Sequence, residues 1–406
     1  MAVTADLPLS VAEGDRLARR NAMVLSVAQA LAGANNTVIV TTGGIVGSML
    51  APDKGLATLP ITMFVMGMWI GTLPVGAMAK SIGRRFSLQV ASGFGIVAGF
   101  ISCYAVLQGS FALFLLGAFF CGLYGAGHQS YRFAAADTAS ESFRPKAISW
   151  VLAGGIFAGV IGPQLIIFTK DSWPPFLFAA TYIGQSVVAA LAAVVLMLVK
   201  IPRAQQHVKV APGRPLLQIV RQPRFLVAVA CGVAPYMMMN MVMTSAPLAM
   251  IACDHSVTDA TLGMQWHILA MFAPSFFTGH LIARFGVERV TGAGLALLIV
   301  SGLVAMAGIT LWHFWGALVL LGLGWNLGFI GATSMVTRCY RPEERNKVQS
   351  FNDFLIFGSL AISSLASGKL LVSFGWDAVN GVLFPVVLAA GALLLWLTLR
   401  QRPQAA

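Results

Sequence analysis

Three asparagines and three tryptophans stand inside long apolar runs: Asn35, Asn36 and Asn240, and Trp69, Trp266 and Trp325. An unsatisfied amide in hydrocarbon costs several kcal/mol, so such asparagines must face partner groups or a wet cavity. An indole offers a stacking face and one N–H donor. His267 beside Trp266 and Asn326 beside Trp325 add further donors and acceptors. The combination suits a flat heteroaromatic solute, stacked on a ring and hydrogen-bonded at its edge. The competing reading is structural: amides that join helix to helix, and rings that pack against neighbours. The other six tryptophans, Trp150, Trp173, Trp312, Trp315, Trp376 and Trp396, fall near the ends of apolar runs, where indoles sit by default. His128 precedes Arg132 by one helical turn, so both share a face. An imidazole titrates near neutral pH, which makes His128 the candidate for a coupling proton.

Carboxylates avoid the middle of these runs, and Asp353 is the only acid well inside the start of one. A charge at a helix centre costs about 2.5–3.5 kcal/mol on insertion scales. A cavity without acids therefore suits a largely neutral solute and speaks against carboxylate-coupled antiport.

The elements that must position these residues follow from composition. The 406 residues are 58% hydrophobic and 10% charged, with a mean hydropathy of +0.81. That implies an all-α polytopic membrane protein. Twelve spans are predicted, at about 23–49, 57–79, 86–107, 111–134, 147–169, 174–199, 225–251, 258–283, 289–310, 312–337, 348–373 and 378–399. On that reading all but Lys54, Lys170 and Lys369 of the 26 lysines and arginines lie on one side, which the positive-inside rule makes cytoplasmic, with both termini. The expected divisions are a segment at 1–22, a six-helix half at 23–199, a linker at 200–224 rich in proline and cations, a second six-helix half at 225–399, and a tail at 400–406. The net charge of +12 is scattered beside apolar runs, where lipid headgroups attract it, so nucleic acid is not an expected partner. The five cysteines show no ligand spacing, and no metal or cofactor is expected. Neither a phosphate-binding loop nor a nucleophile–base pair is evident, so neither ATP-driven transport nor an enzyme is expected.

The halves repeat. Gly76-Ala77-Met78-Ala79-Lys80-Ser81-Ile82-Gly83 after the second span matches Gly279-His280-Leu281-Ile282-Ala283-Arg284-Phe285-Gly286 after the eighth, 203 residues on. Phe143-Arg144-Pro145 before the fifth span matches Tyr340-Arg341-Pro342 before the eleventh. Such pairs argue for two pseudo-twofold halves enclosing a midplane site, with Asn36 and Asn240 at equivalent positions.

Through Gly76, Lys80, Ser81, Gly83, Arg84 and Arg85 the chain resembles the major facilitator superfamily, whose signature at this place is G-x-x-x-D-R-x-G-R-R/K. Lys80 stands where that signature has its Asp. The resemblance implies the major facilitator fold, alternating access, and a cytoplasmic gate formed by Lys80, Arg84, Arg85, Arg132, Arg284 and Asp353. Within that gate Asp353 would pair with Arg84 or Lys80, and Arg284 would face Ser149. Gly154, Gly155, Gly159, Gly162 and Pro163 allow tight packing of the fifth span. Ile166-Ile167 replaces the Gly-Gly of the antiporter signature, so this helix is not evidence for efflux.

The segments Gly127–Phe133, Gln265–Ser275 and Val348–Phe354 resemble a bacterial branch that includes riboflavin transporters. That resemblance implies uptake of riboflavin or a similar aromatic solute across the bacterial inner membrane, by a chain acting as a monomer. Export of hydrophobic drugs or metabolites, with or without proton coupling, is the alternative. The expected solute contacts are Asn35, Asn36, Trp69, Asn240, Trp266, His267, Trp325 and Asn326.

Overall fold

A computed structural model describes residues 11–136, 139–140, 143–200 and 213–401. Its regular elements are helices, as a chain in hydrocarbon requires when every backbone amide must be satisfied within its own segment. The first half contains α1 (Val11–Leu50), α2 (Leu59–Ser81), α3 (Arg84–Gln108), α4 (Phe111–Gln129), α5 (Tyr131–Ala136), α6 (Arg144–Thr169) and α7 (Ala179–Leu196). After the short α8 (Leu216–Val220), the second half contains α9 (Pro223–Ala252), α10 (Val257–Phe272), α11 (Ser275–Phe285), α12 (Val287–Met306), α13 (Leu311–Thr337), α14 (Arg345–Gly381) and α15 (Leu383–Gln401).

Among the described residues ten helices are long and apolar enough to cross a bilayer, or eleven if α10 and α11, bent by 41°, make one crossing. One of the ten is the 54-residue stretch Lys347–Arg400. As a single helix it would be about 81 Å long, against a hydrocarbon core of ~30 Å. It breaks at Gly375, whose φ of 80° suits glycine. The break makes two crossings of it and brings the total to the expected twelve.

Both copies of the repeated motif end in the same backbone shape. Gly83 has φ 96° and ψ 147°, Gly286 has φ 87° and ψ 151°, and each opens the next helix. The pseudo-repeat therefore extends from side-chain pattern to conformation.

At the amino end the described helix α1 already runs from Val11, ahead of the expected crossing at about residue 23. Ala18, Ala22 and Leu25 form a buried stripe while Arg16, Arg19 and Arg20 face out, so these polar turns are amphipathic. Asp15 accepts hydrogen bonds from the backbone N–H and hydroxyl of Ser140, at 2.8 and 2.9 Å. Asn21 clamps the start of the linker by donating to the Lys200 carbonyl (2.7 Å) and accepting its N–H (3.0 Å).

The other end of the linker is tied to the second half. Arg214 donates through its side chain to both oxygens of buried Glu344, at 2.8 and 2.7 Å. The backbone amides of Arg214 and Arg341 donate to the same carboxylate. These donors, the guanidinium first, hold the Glu344 carboxyl well below the usual carboxylate range.

The halves meet tightly at the end of the bundle that carries residues 51–58. Thr58 donates to the Ser364 carbonyl (2.9 Å) and Thr62 to the Ser364 hydroxyl (3.1 Å), joining α2 to α14. Gln164 of α6 donates to Gln265 of α10 at 2.9 Å. Farther along the same face of α2, Trp69 still touches Phe354, but Leu73 is 80% exposed and Phe354 52% exposed. The two helices diverge there, leaving a cleft open toward the end of the bundle that carries Gly83 and Gly286.

Candidate functional site

On the first half, Asn36 and His128 form a polar shelf. The Asn36 amide nitrogen lies 3.4 Å from His128 Nδ1. The two side chains are thus within hydrogen-bond reach, with the roles of the ring nitrogens set by the tautomer. His128 Nε2 and Asn36 Oδ1 have no protein partner. One turn along α1, Val40 packs against the apolar clusters of both halves, as do Tyr236 and Phe329, so this face of α1 looks onto the boundary between them.

The second half carries an aromatic wall. Trp325 and Phe329, one turn apart on α13, are stacked with centroids 5.2 Å apart and planes 11° from parallel. Tyr236 of α9 meets both edge-on, at 5.2 and 4.9 Å, and Phe272 at the end of α10 closes the group 6.3 Å from Trp325. Edge-to-face and offset geometries place the positive ring edge on a negative face, so the wall holds its own shape. The Trp325 indole N–H has no partner although the side chain is only 7% exposed. Phe272 is held against Gly155 of α6, where a methyl group would lie 3.4 Å from its ring.

Charge enters at the mouth of the cleft. Arg132, half-buried on α5, interacts electrostatically with exposed Asp353 of α14 and with Tyr236. Asp353 thus lies within electrostatic reach of Arg132, another residue of the expected gate. Arg84 is half-buried in the first turn of α3, Arg85 is exposed, and Arg284 lies 5.3 Å over the ring of Phe285. The Lys80 side chain lies outside the described residues. Pairing across the halves should appear as energetic coupling in transport: a double-mutant cycle with Arg132→Gln and Asp353→Asn is expected to give about 1 kcal/mol, whereas additive losses would mean the two charges act separately.

The remaining expected contacts occupy different surroundings. Asn35 is fully buried, and neither polar atom of its amide has a protein partner. It shares a face of α1 with Thr42, two turns on, which bonds the Tyr182 hydroxyl at 2.8 Å inside the first half. Asn240 donates to the Leu360 carbonyl and the Ser363 hydroxyl, joining α9 to α14. Asn326 donates to the Met271 carbonyl (2.6 Å) and Ser275 (2.8 Å) and accepts from Thr278 (2.6 Å), bridging the bend between α10 and α11. His267 donates from Nδ1 to the Leu318 carbonyl at 2.7 Å and is fully buried. Trp266 is 44% exposed, on a flank of α10 away from the buried Met264, His267 and Met271. Trp69 meets Phe354 at 5.2 Å, beside Asp353.

Tyr236, Phe272 and Phe329 were not singled out from the sequence. Their spacing held a signal, since Phe329 lies four residues after Trp325 and Tyr236 four before Asn240.

Comparison with known proteins bears on this arrangement. The family model described as Major Facilitator Superfamily matches residues 25–264 and 230–406. The riboflavin transporter RfnT of Brucella anthropi is 45% identical over 96% of this chain and 98% of its own. An uncharacterized MFS-type transporter of Bacillus subtilis, YddS, is 27% identical over 88% of this chain and 85% of its own. Among solved structures, the nucleoside transporter NupG superposes with a TM-score of 0.71 at 12% identity, covering 94% of this chain and 99% of that one. A bacterial homolog of the human lysosomal transporter Spinster, inward-facing and occupied, gives 0.68 at 16% identity over 95% and 98%. These structural likenesses show the fold.

Proposed function

The chain belongs to the major facilitator superfamily, and on that footing we propose that it imports riboflavin, binding it in the cleft between its halves. As a member of that family it is a multi-pass membrane protein and a secondary transporter of a small-molecule solute. The observation that carries the substrate reading is the parallel Trp325–Phe329 pair with an indole N–H that has no protein partner.

Riboflavin joins a flat tricyclic ring, with amide-like donors and acceptors on one edge, to a neutral polyhydroxyl tail. A stacked aromatic pair meets such a ring at little cost in side-chain entropy, because the wall is already assembled. The Trp325 N–H can donate, Asn36 Oδ1 can accept, and His128 Nε2 can do either according to its tautomer, without breaking an existing bond. Trp69 and Phe354 would border the ring from the α2–α14 side. Asn35, Asn240, Asn326 and His267 would act through helix packing, and Trp266 from the protein's periphery.

The lysine and arginine distribution supports a cytoplasmic location for both termini. With that orientation the cleft described here opens inward, with Thr58, Thr62 and Ser364 closing its outer end. Rocking of one six-helix half against the other would part that seal and close the mouth around Arg132 and Asp353.

The test is uptake of labelled riboflavin by a riboflavin auxotroph expressing this chain, with and without a protonophore, at matched surface expression. Accumulation above the empty-vector control is the expected result. Loss of uptake with the protonophore would direct attention to His128. A well-expressed protein that moves no riboflavin would exclude this substrate and favour a screen for exported compounds.

A further inference from the structure

A second concave surface lies on the outside of the second half, between α12 and α15, with a volume of about 870 Å³. Its floor is opened by two glycines. A methyl group on Gly391 would meet nothing within 4 Å, and one on Gly292 would only touch Leu394 at 3.8 Å. Ile299 and Leu388 line its deeper part, and Phe285, Arg289 and Thr398 its other end. From Arg289 to Ile299 the groove follows α12 for about 15 Å, at 1.5 Å per residue, which is half of a ~30 Å hydrocarbon core. It is thus one leaflet deep, polar at the headgroup level and apolar toward the midplane.

The charges at the polar end have one sign available. Glu288 is engaged by Arg224 at 3.4 Å. Arg289 is exposed and has no hydrogen bond or ion pair with any described residue. The Arg284 guanidinium rests 5.3 Å over the ring of Phe285, another lining residue, and adds a second cation at the same level.

We propose that this groove binds one anionic phospholipid, its phosphate on Arg289 and an acyl chain along Gly292, Ile299, Leu388 and Gly391. The apolar shaft selects a chain, and the unpaired guanidinium, a planar multi-donor group, favours a headgroup whose phosphate charge is not offset by an ammonium of its own. A zwitterionic lipid fits the shaft equally but carries no net charge to the cation. The site depends on the membrane location of the chain and not on which solute it moves.

The experiment is native mass spectrometry of the full chain in mild detergent, with phosphatidylglycerol or phosphatidylcholine added at equal concentration. The intact protein is expected to retain phosphatidylglycerol about fivefold better, the factor one basic residue contributes near an anionic surface. R289Q should abolish that preference, whereas R338Q, an exposed arginine at the end of α13, should keep it. Gly391→Leu should lower retention of both lipids by filling the shaft. A preference that survives R289Q, or falls as far in R338Q, would overturn the proposal. Should Gly391→Leu fail to run as a monodisperse species, the two arginine variants decide alone.

Discussion

Trp325→Ala is expected to raise the riboflavin concentration for half-maximal uptake by about tenfold, with the protein still reaching the membrane. A tenfold change corresponds to ~1.4 kcal/mol, and aromatic stacking adds roughly 0.5–1.5 kcal/mol beyond the apolar area it covers. The indole here contributes a face parallel to Phe329 and an N–H with no protein partner, so its removal takes away both a stacking surface and a donor. The same side chain is almost wholly buried, and truncating a buried tryptophan costs about 3–5 kcal/mol of stability. Trp325→Phe separates the two effects. It keeps a ring beside Tyr236 and Phe272, so the fold should survive, and it loses only the N–H and part of the face. Its uptake should fall between that of the parent and the alanine variant. If Trp325→Ala transports normally at matched surface expression, Trp325 does not contact the solute.

Gly122→Val is expected to abolish the folded protein altogether. A Cβ at Gly122 would lie 2.1 Å from the Phe64 carbonyl oxygen and 2.8 Å from the Met68 nitrogen, while one at Gly67 would lie 2.2 Å from the Phe119 oxygen. These are backbone atoms of α2 and α4 pressed against each other, so no side-chain rotation relieves the clash. Small residues allow this close approach, and dispersion over the shared surface holds the pair together where lipid offers no hydrophobic drive. Gly76→Val, also in α2, meets nothing within 4 Å and should be tolerated. Fluorescence-detected size exclusion of tagged variants gives the comparison. A monodisperse Gly122→Val peak equal to that of Gly76→Val would show that α2 and α4 can separate without loss of the fold.

The two variants mark how far local pattern reaches. Gly76 opens the family signature while Gly122 belongs to no motif, yet it is the crossing of α2 over α4 that makes Gly122 indispensable. The asparagines behave alike. Asn36 and Asn240 occupy equivalent places in the repeat, yet Asn36 faces His128 at the cleft while Asn240 is spent on Leu360 and Ser363. Asn326 sits beside the wall residue Trp325, but a step of 100° around α13 points it at the broken end of α10. Trp266 and Trp325 are both interior to apolar runs, and one is 44% exposed while the other is 7% exposed.

What the chain's sequence determined by itself is its all-helical membrane class, its repeat, its family signature and the near positions of its crossings. These depend on apolar transfer and backbone satisfaction, which are summed along a segment and need no knowledge of its neighbours. The tertiary structure decided which face of each helix looks into the cleft, which amides already have partners, that α10 and α11 bend, and that Asp353 lies within electrostatic reach of Arg132. Helix rotation and crossing are set by contacts between segments far apart in the chain, and a shift of one residue turns a side chain by 100°, from the solute's side of the helix to a neighbour's.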